Sequence, residues 1–139
     1  MNVHVDPDDT HIEFKAMQQI IGGVYENHQG EDDFILLGDL NEEPHQYQQY
    51  QWMRNQVTAL PSQWKTNTAQ TEAYDNIVFD SVNTGEYLNQ SGVLNLMTEY
   101  GLELGEAKLV SDHMPVWAVF STQEAGLAAA QTRPQDVIR

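Results

Sequence analysis

Phe34-Ile35-Leu36-Leu37-Gly38-Asp39-Leu40-Asn41-Glu42-Glu43-Pro44 is the stretch from which the rest of the chain can be read. Four consecutive apolar residues, Phe34 to Leu37, predict a buried strand. The run is short, continuous and bounded by acids on one side and glycine on the other. Gly38 removes a side chain where something must approach the backbone closely. Asp39 and Asn41 follow at i and i+2, so both point to one side while the chain stays extended. A carboxylate and an amide oxygen side by side at a strand's end suit a hard cation or a phosphate-bound water. The plainer alternative is a strand closing in a turn, since Asp and Asn both favour turns on their own account. Glu42, Glu43 and Pro44 end the strand.

Around this stretch the totals set bounds. A chain of 139 residues is one domain by length and can bury roughly 65–70% of the surface its unfolded form exposes. There is no cysteine, which excludes disulfides and thiolate metal sites and leaves the compartment open between cytoplasmic and secreted. No apolar run approaches the roughly 18 residues of a membrane span, and no signal peptide is visible after Met1. The net charge is −15 and the pI about 4.3. Such a balance argues against a basic groove that grips nucleic acid non-specifically. It leaves room for a metal-dependent phosphoesterase, where divalent cations supply the positive charge at the phosphate.

Met1 to Val5 alternates, with Val3 and Val5 on one side and Asn2 and His4 on the other, which is strand periodicity. His4 leaves the apolar face just before the turn composition Asp6-Pro7-Asp8-Asp9. Thr10-His11-Ile12-Glu13 predicts a capping box with Thr10 at the N-cap. The helix it opens carries Met17, Ile20, Ile21 and Val24 on one stripe, and Gly22 and Gly23 weaken its end. His11 and His28 are expected in solvent, and residues 27–33 form a polar loop. After Pro44, the glutamine-rich run with Tyr47, Tyr50, Trp52 and Met53 predicts a short packed helix. Trp64 to Glu72 reads as a polar loop; Lys65, Thr66, Asn67, Thr68 and Thr71 could offer donors to a phosphate backbone, against the safer reading of a solvated loop.

Tyr74 to Phe79 is a second strand with Asp75 and Asn76 at its start. An acid there is either a turn residue or one held to orient another group. Residues 80–90 read as turns, residues 92–97 as a short strand or loop, and Leu102 to Val110 as a helix with Leu102, Ala107 and Val110 inward. Ser111-Asp112-His113-Met114-Pro115 then precedes a last apolar strand, Val116 to Phe120. The expected organisation is a folded unit over residues 1–121 followed by an alanine- and glutamine-rich tail over 122–139.

Four polar clusters thus stand at strand ends: His4, Asp39/Asn41, Asp75/Asn76 and Asp112/His113. Strand ends are where an α/β protein builds its site. The matching motifs are Val3-His4-Val5-Asp6-Pro7, Leu37-Gly38-Asp39-Leu40-Asn41, Tyr74-Asp75-Asn76-Ile77-Val78 and Ser111-Asp112-His113-Met114-Pro115-Val116, with Tyr100-Gly101-Leu102 and Glu106-Ala107 before the last. In this order they resemble the endonuclease/exonuclease/phosphatase superfamily, and within it the deoxyribonuclease I-like group, from Val3 to about Phe120.

The resemblance implies an α/β (α+β) fold: half of a four-layered α/β/β/α sandwich, with one mixed sheet carrying helices on one face. The family fold is about twice this length, and this chain looks like its second half. The glutamates of the family's first half have no counterpart here. By resemblance, His4 and His113 are the catalytic histidines, with His113 oriented by Asp75. Asp39, Asn41 and Asn76 are implied contacts to phosphate or substrate, and Asp39, Asn41 and Asp112 are implied metal ligands. The implied cofactor is Mg²⁺, Mn²⁺ or Ca²⁺, and the implied partner is DNA or another phosphodiester. Asn76, where deoxyribonuclease I has an arginine, loosens the case for duplex DNA. The implied activity is that of a divalent-metal-dependent phosphodiester hydrolase, a DNA endonuclease of deoxyribonuclease I type, present here as a fragment that can be inactive alone. A phosphatase or small-molecule phosphodiesterase of the same superfamily, and a non-catalytic assembly or binding module, are the alternatives. Half a sandwich leaves an apolar sheet face to be covered by the missing N-terminal half, by a second copy in a homodimer, or by another chain. No membrane is expected as a partner.

Overall fold

A computed structural model describes residues 1–27 and 33–123. His28, most of the loop after it, and the expected tail from residue 124 onward lie outside the described residues. The architecture is mixed α and β, built on two sheets. The first is four-stranded and contains β1 (Asn2–His4), β2 (Ile35–Asp39), β3 (Gln56–Thr58) and β4 (Asp75–Asp80), in the order β1-β2-β4-β3. β1 runs parallel to β2, while β4 is antiparallel to both β2 and β3. Helix α1 (Thr10–Asn27) makes the crossover between the two parallel strands, the connection that a parallel pair requires.

The strands are not uniformly buried. Leu36 and Val78 face α1 and join Val5, Phe14, Met17, Tyr47, Tyr50 and Met53 in one core. Ile35, Ile77 and Phe79 are offset by one residue and point the other way, as a period of two demands. Phe14 anchors α1 by stacking on Tyr50, with ring centroids 4.2 Å apart, and Trp52 Nε1 donates to the Phe14 carbonyl at 3.1 Å. The inward stripe is Phe14, Met17, Ile21 and Val24. Ile20, expected inward, is 54% exposed. The cap also differs from expectation. The Asp9 carbonyl accepts from the Ile12 and Glu13 amides, and Glu13 reaches back to the Asp6 amide rather than to Thr10. The glutamine-rich run folds as two 3₁₀ segments, Pro44–Gln49 and Gln51–Met53. Three residues per turn put Tyr47, Tyr50 and Met53 on one buried face.

The expectation of a single sheet needs correction. β5 (Tyr87–Val93) and β6 (Val116–Phe120) form a second, antiparallel sheet. Its Tyr87, Val93, Val116, Ala118 and Phe120 pack on Ala59, Leu60, Ile77 and Phe79, on the face away from α1. β5 was not legible because Tyr87-Leu-Asn-Gln-Ser-Gly-Val carries no apolar alternation, and its pairing with β6 is irregular between Tyr87 and Ser91. The apolar face expected to lie open is therefore largely covered over β4, while Leu37 of β2 stays 38% exposed. Short helices α2 (Leu96–Tyr100) and α3 (Leu104–Val110) join the two strands. Ala107 is buried as expected, but Val110 is 67% exposed. Among the described residues no helix is long and apolar enough to cross a membrane.

Candidate active site

The register of the first sheet assembles the site. His4 pairs with Asp39, and Asp39 pairs with Asp75. Cross-strand partners share a face, so these three residues form one row over three strands, on the face away from α1. Gly38 permits this register. It pairs with Val3 at φ +135°, and a Cβ on it would sit 1.9 Å from the Val3 carbonyl oxygen. The turn after β2 is fixed by Asn41, which takes a left-handed conformation (φ 48°). Its amide donates to Asp39 Oδ1 at 2.9 Å, and its Nδ2 donates to the Val5 carbonyl at 2.6 Å. The turn reading of Asp39 and Asn41 therefore holds. Asp39 Oδ2 is turned towards the imidazoles of His4 and His113.

His113 arrives from the opposite side. The Asn67–His113 bridge, the Thr68 amide bonded to the Asp112 carbonyl and the Met114 amide bonded to the Thr66 carbonyl make a short antiparallel ladder. It sets His113 Nδ1 2.7 Å from Asp75 Oδ2 and 3.6 Å from Asp39 Oδ2. An ionised Asp75 can only accept, so Nδ1 carries the proton and Nε2 is the nitrogen left for chemistry. Burial lowers the His113 pKa. The hydrogen bond to Asp75 and the charges of Asp75, Asp39 and Asp112 outweigh it, and the net shift is upward from 6.5. His4 lies across the cleft, its Nε2 3.7 Å from Asp39 Oδ2 and its side chain 77% exposed.

Thr66 is a site residue that sequence reasoning placed elsewhere. It is fully buried. Its hydroxyl donates to Asp75 Oδ2 at 2.7 Å and accepts from the Asp75 amide at 3.0 Å. Thr68 is equally buried, with its hydroxyl bonded to the Ser111 carbonyl. Neither hydroxyl is offered to a phosphate backbone. No local pattern separates a threonine that clamps an aspartate from one in solvent.

His4, Asp39, Asn41, Asp75, Asp112 and His113 line one open cleft of about 420 Å³ together with Pro7. Asn76 is not among them. Its side chain is buried, donates to the Leu60 carbonyl at 2.8 Å and accepts from the Leu60 and Ile77 amides. The assignment of Asn76 to phosphate is therefore corrected: it ties β4 to the segment after β3.

The cleft is strongly acidic. Even the buried Tyr47 hydroxyl is held far above the tyrosine range, first by burial and then by Glu42, Asp75, Asp39 and Glu43. One ligand atom from each of Asp39, Asp75 and His113 lies within 4.8 Å of the others. A cation between Asp75 and His113 would break their hydrogen bond. Asp39, Asn41 and Asp112, the ligands that the resemblance implies, line the same cleft.

No protein-family model matches the chain, and no curated protein matches it.

Proposed function

We propose that this cleft is the catalytic half-site of a divalent-metal-dependent phosphodiester hydrolase, a nuclease of deoxyribonuclease I type. The observation that carries the reading is the row His4–Asp39–Asp75 with His113 bonded to its far end. Like charges directly opposite each other in a sheet are destabilising, and Asp39 faces Asp75. A fold gains nothing from that pairing. A site that must hold a cation and orient an imidazole gains both. The finer fold assignment, half of a four-layered α/β/β/α sandwich, belongs to the same proposal; the chain's α1-sheet-sheet layering supports it.

In this reading Asp39, Asn41 and Asp112 would hold Mg²⁺, Mn²⁺ or Ca²⁺, an all-oxygen set that suits these hard cations. When bound, the ion neutralises the phosphate and stabilises the charge that develops on it. A phosphate would otherwise meet three carboxylates in one cleft. His113 accepts the proton of the attacking water at Nε2, and Asp75, held by Thr66, stabilises the imidazolium that results. His4 hands a proton to the departing oxygen. The face still open at Leu37 is where a further half-domain or a second copy would complete the sandwich.

Nicking of supercoiled plasmid with Mg²⁺ plus Ca²⁺, against an EDTA control, tests the reading. EDTA-sensitive nicking that His113→Ala slows by ~10²-fold or more supports it. Release of inorganic phosphate from nucleotides without nicking would move the assignment to a phosphatase of the same superfamily.

A further inference from the structure

A second cleft of about 410 Å³ lies behind the first, lined by Gln63, Trp64, Lys65, Gln70, Gly92, Val93, Asn95 and Met114. Its chemistry is different. No carboxylate lines it, and the Lys65 ammonium is paired with Glu43. Trp64 is 41% exposed at its rim, while Val93 and the buried Met114 supply an apolar floor. Three amide side chains surround that floor. The Asn95 side-chain oxygen is occupied by the Met97 and Thr98 amides, so Nδ2 is its free end. An exposed indole, an apolar floor and amide donors and acceptors match a flat heterocycle whose edge bears hydrogen-bonding groups.

The place of this cleft narrows the ligand. The ladder of residues 66–68 with 112–114 is the wall between the two clefts: His113 lines the acidic one and its neighbour Met114 lines the other. Adjacent α-carbons are about 3.8 Å apart, so the two clefts are separated by little more than one strand.

We infer that the Trp64 cleft is a stacking subsite for a nucleobase of the same strand whose phosphate enters the His4–Asp39–His113 cleft. The inference rests on the reading of that cleft as a phosphodiester site. Its consequence is a substrate with a base free to leave the helical stack: single-stranded or locally opened nucleic acid rather than intact duplex.

The test is fluorescence anisotropy with the 139-residue chain, in Mg²⁺ and in EDTA, using a labelled thymidine hexanucleotide and an abasic hexanucleotide of equal phosphate charge. The abasic strand reports the acidic cleft alone, and the difference between the strands reports the base. The expected result is binding of the base-bearing strand about 10-fold or more tighter than the abasic one. Trp64→Ala removes that preference and Trp64→Phe keeps part of it, with unchanged circular dichroism in both. An equal base preference in Trp64→Ala overturns the inference. So does metal-dependent binding of both strands with no base preference, which leaves the phosphodiester reading standing. A Trp64-dependent preference without any metal dependence keeps the stacking site and defeats the reading of the acidic cleft. Absence of binding to either strand overturns both.

Discussion

Gly38→Ala tests the register on which the whole site depends. Gly38 pairs with Val3 across the parallel β1–β2 ladder. A methyl group there would stand 1.9 Å from the Val3 carbonyl oxygen, 2.9 Å from its carbon and 3.1 Å from Asn2 Oδ1. The nearest two atoms are backbone and cannot swing aside. The φ of +135° is also one that a residue with a Cβ rarely adopts. Backbone strain of this kind costs ~1–3 kcal/mol, and forced overpacking adds ~1–3 kcal/mol. The sum, roughly 2–6 kcal/mol, compares with a typical total stability of ~5–15 kcal/mol. The chain can relieve the clash only by parting β1 from β2, which breaks the flanking bonds from Leu37 to Met1 and from Val5 to Asp39. It would also carry His4 away from Asp39. Urea unfolding followed by tryptophan fluorescence measures the loss. Gly101→Ala is the control: φ is +67° but nothing lies within 4 Å of the added carbon, so only the left-handed penalty of ~1–2 kcal/mol applies. A Gly38→Ala protein within about 0.5 kcal/mol of the parent would refute the register, and with it the row of site residues.

Two further outcomes follow from the same geometry. Folding raises the His113 pKa above its ordinary 6.5, so its contribution to stability is complete below that pH and is lost as pH rises through the raised value. In EDTA buffer, NMR titration should place the His113 midpoint above 6.5, and Asp75→Asn should lower it and flatten the pH dependence of unfolding over that window; an unmoved midpoint would rule out the Asp75 contact. Asn76→Ala strands the buried Leu60 amide and carbonyl and should cost ~1–3 kcal/mol in a urea melt. A loss under 0.5 kcal/mol would mean that Asn76 is not the fold residue described above.

The parts of the molecule legible in the sequence are those where period and polarity agree. Val3 and Val5 against His4 gave β1 its faces, and the apolar run before Gly38-Asp39 located β2. Asp39, Asp75 and His113 were each visible as polar residues at strand ends, and the structure brings them together with His4, Asn41 and Asp112 in one cleft. Asn76 was misplaced because a side chain that mends a β-edge by hydrogen-bonding Leu60 has the same identity as one that binds a ligand. Its neighbour Asp75 points to the other face of β4, and residue type alone does not say which face is solvent. β5 was missed because Asn89, Gln90 and Ser91 interrupt its apolar pattern, and its partner strand lies more than twenty residues away. Leu37 looked fully buried within a continuous apolar run. In fact that run alternates, with Leu36 under α1 and Leu37 on the opposite face. Thr66 was visible only as a loop hydroxyl that could meet a phosphate, since its contact with Asp75 is tertiary and leaves no local pattern.

Whether the His4–Asp39–His113 cleft cleaves phosphodiesters is tested most directly by plasmid nicking with the parent chain and with His113→Ala, each titrated with Mg²⁺ and Ca²⁺ and quenched with EDTA. Nicking should need the cation, stop with EDTA and fall by ~10²-fold or more in the variant. Nicking that His113→Ala leaves unchanged would contradict the site assignment, and absence of nicking at every cation concentration would move the reading to a non-catalytic module or a fragment whose site needs the missing glutamates.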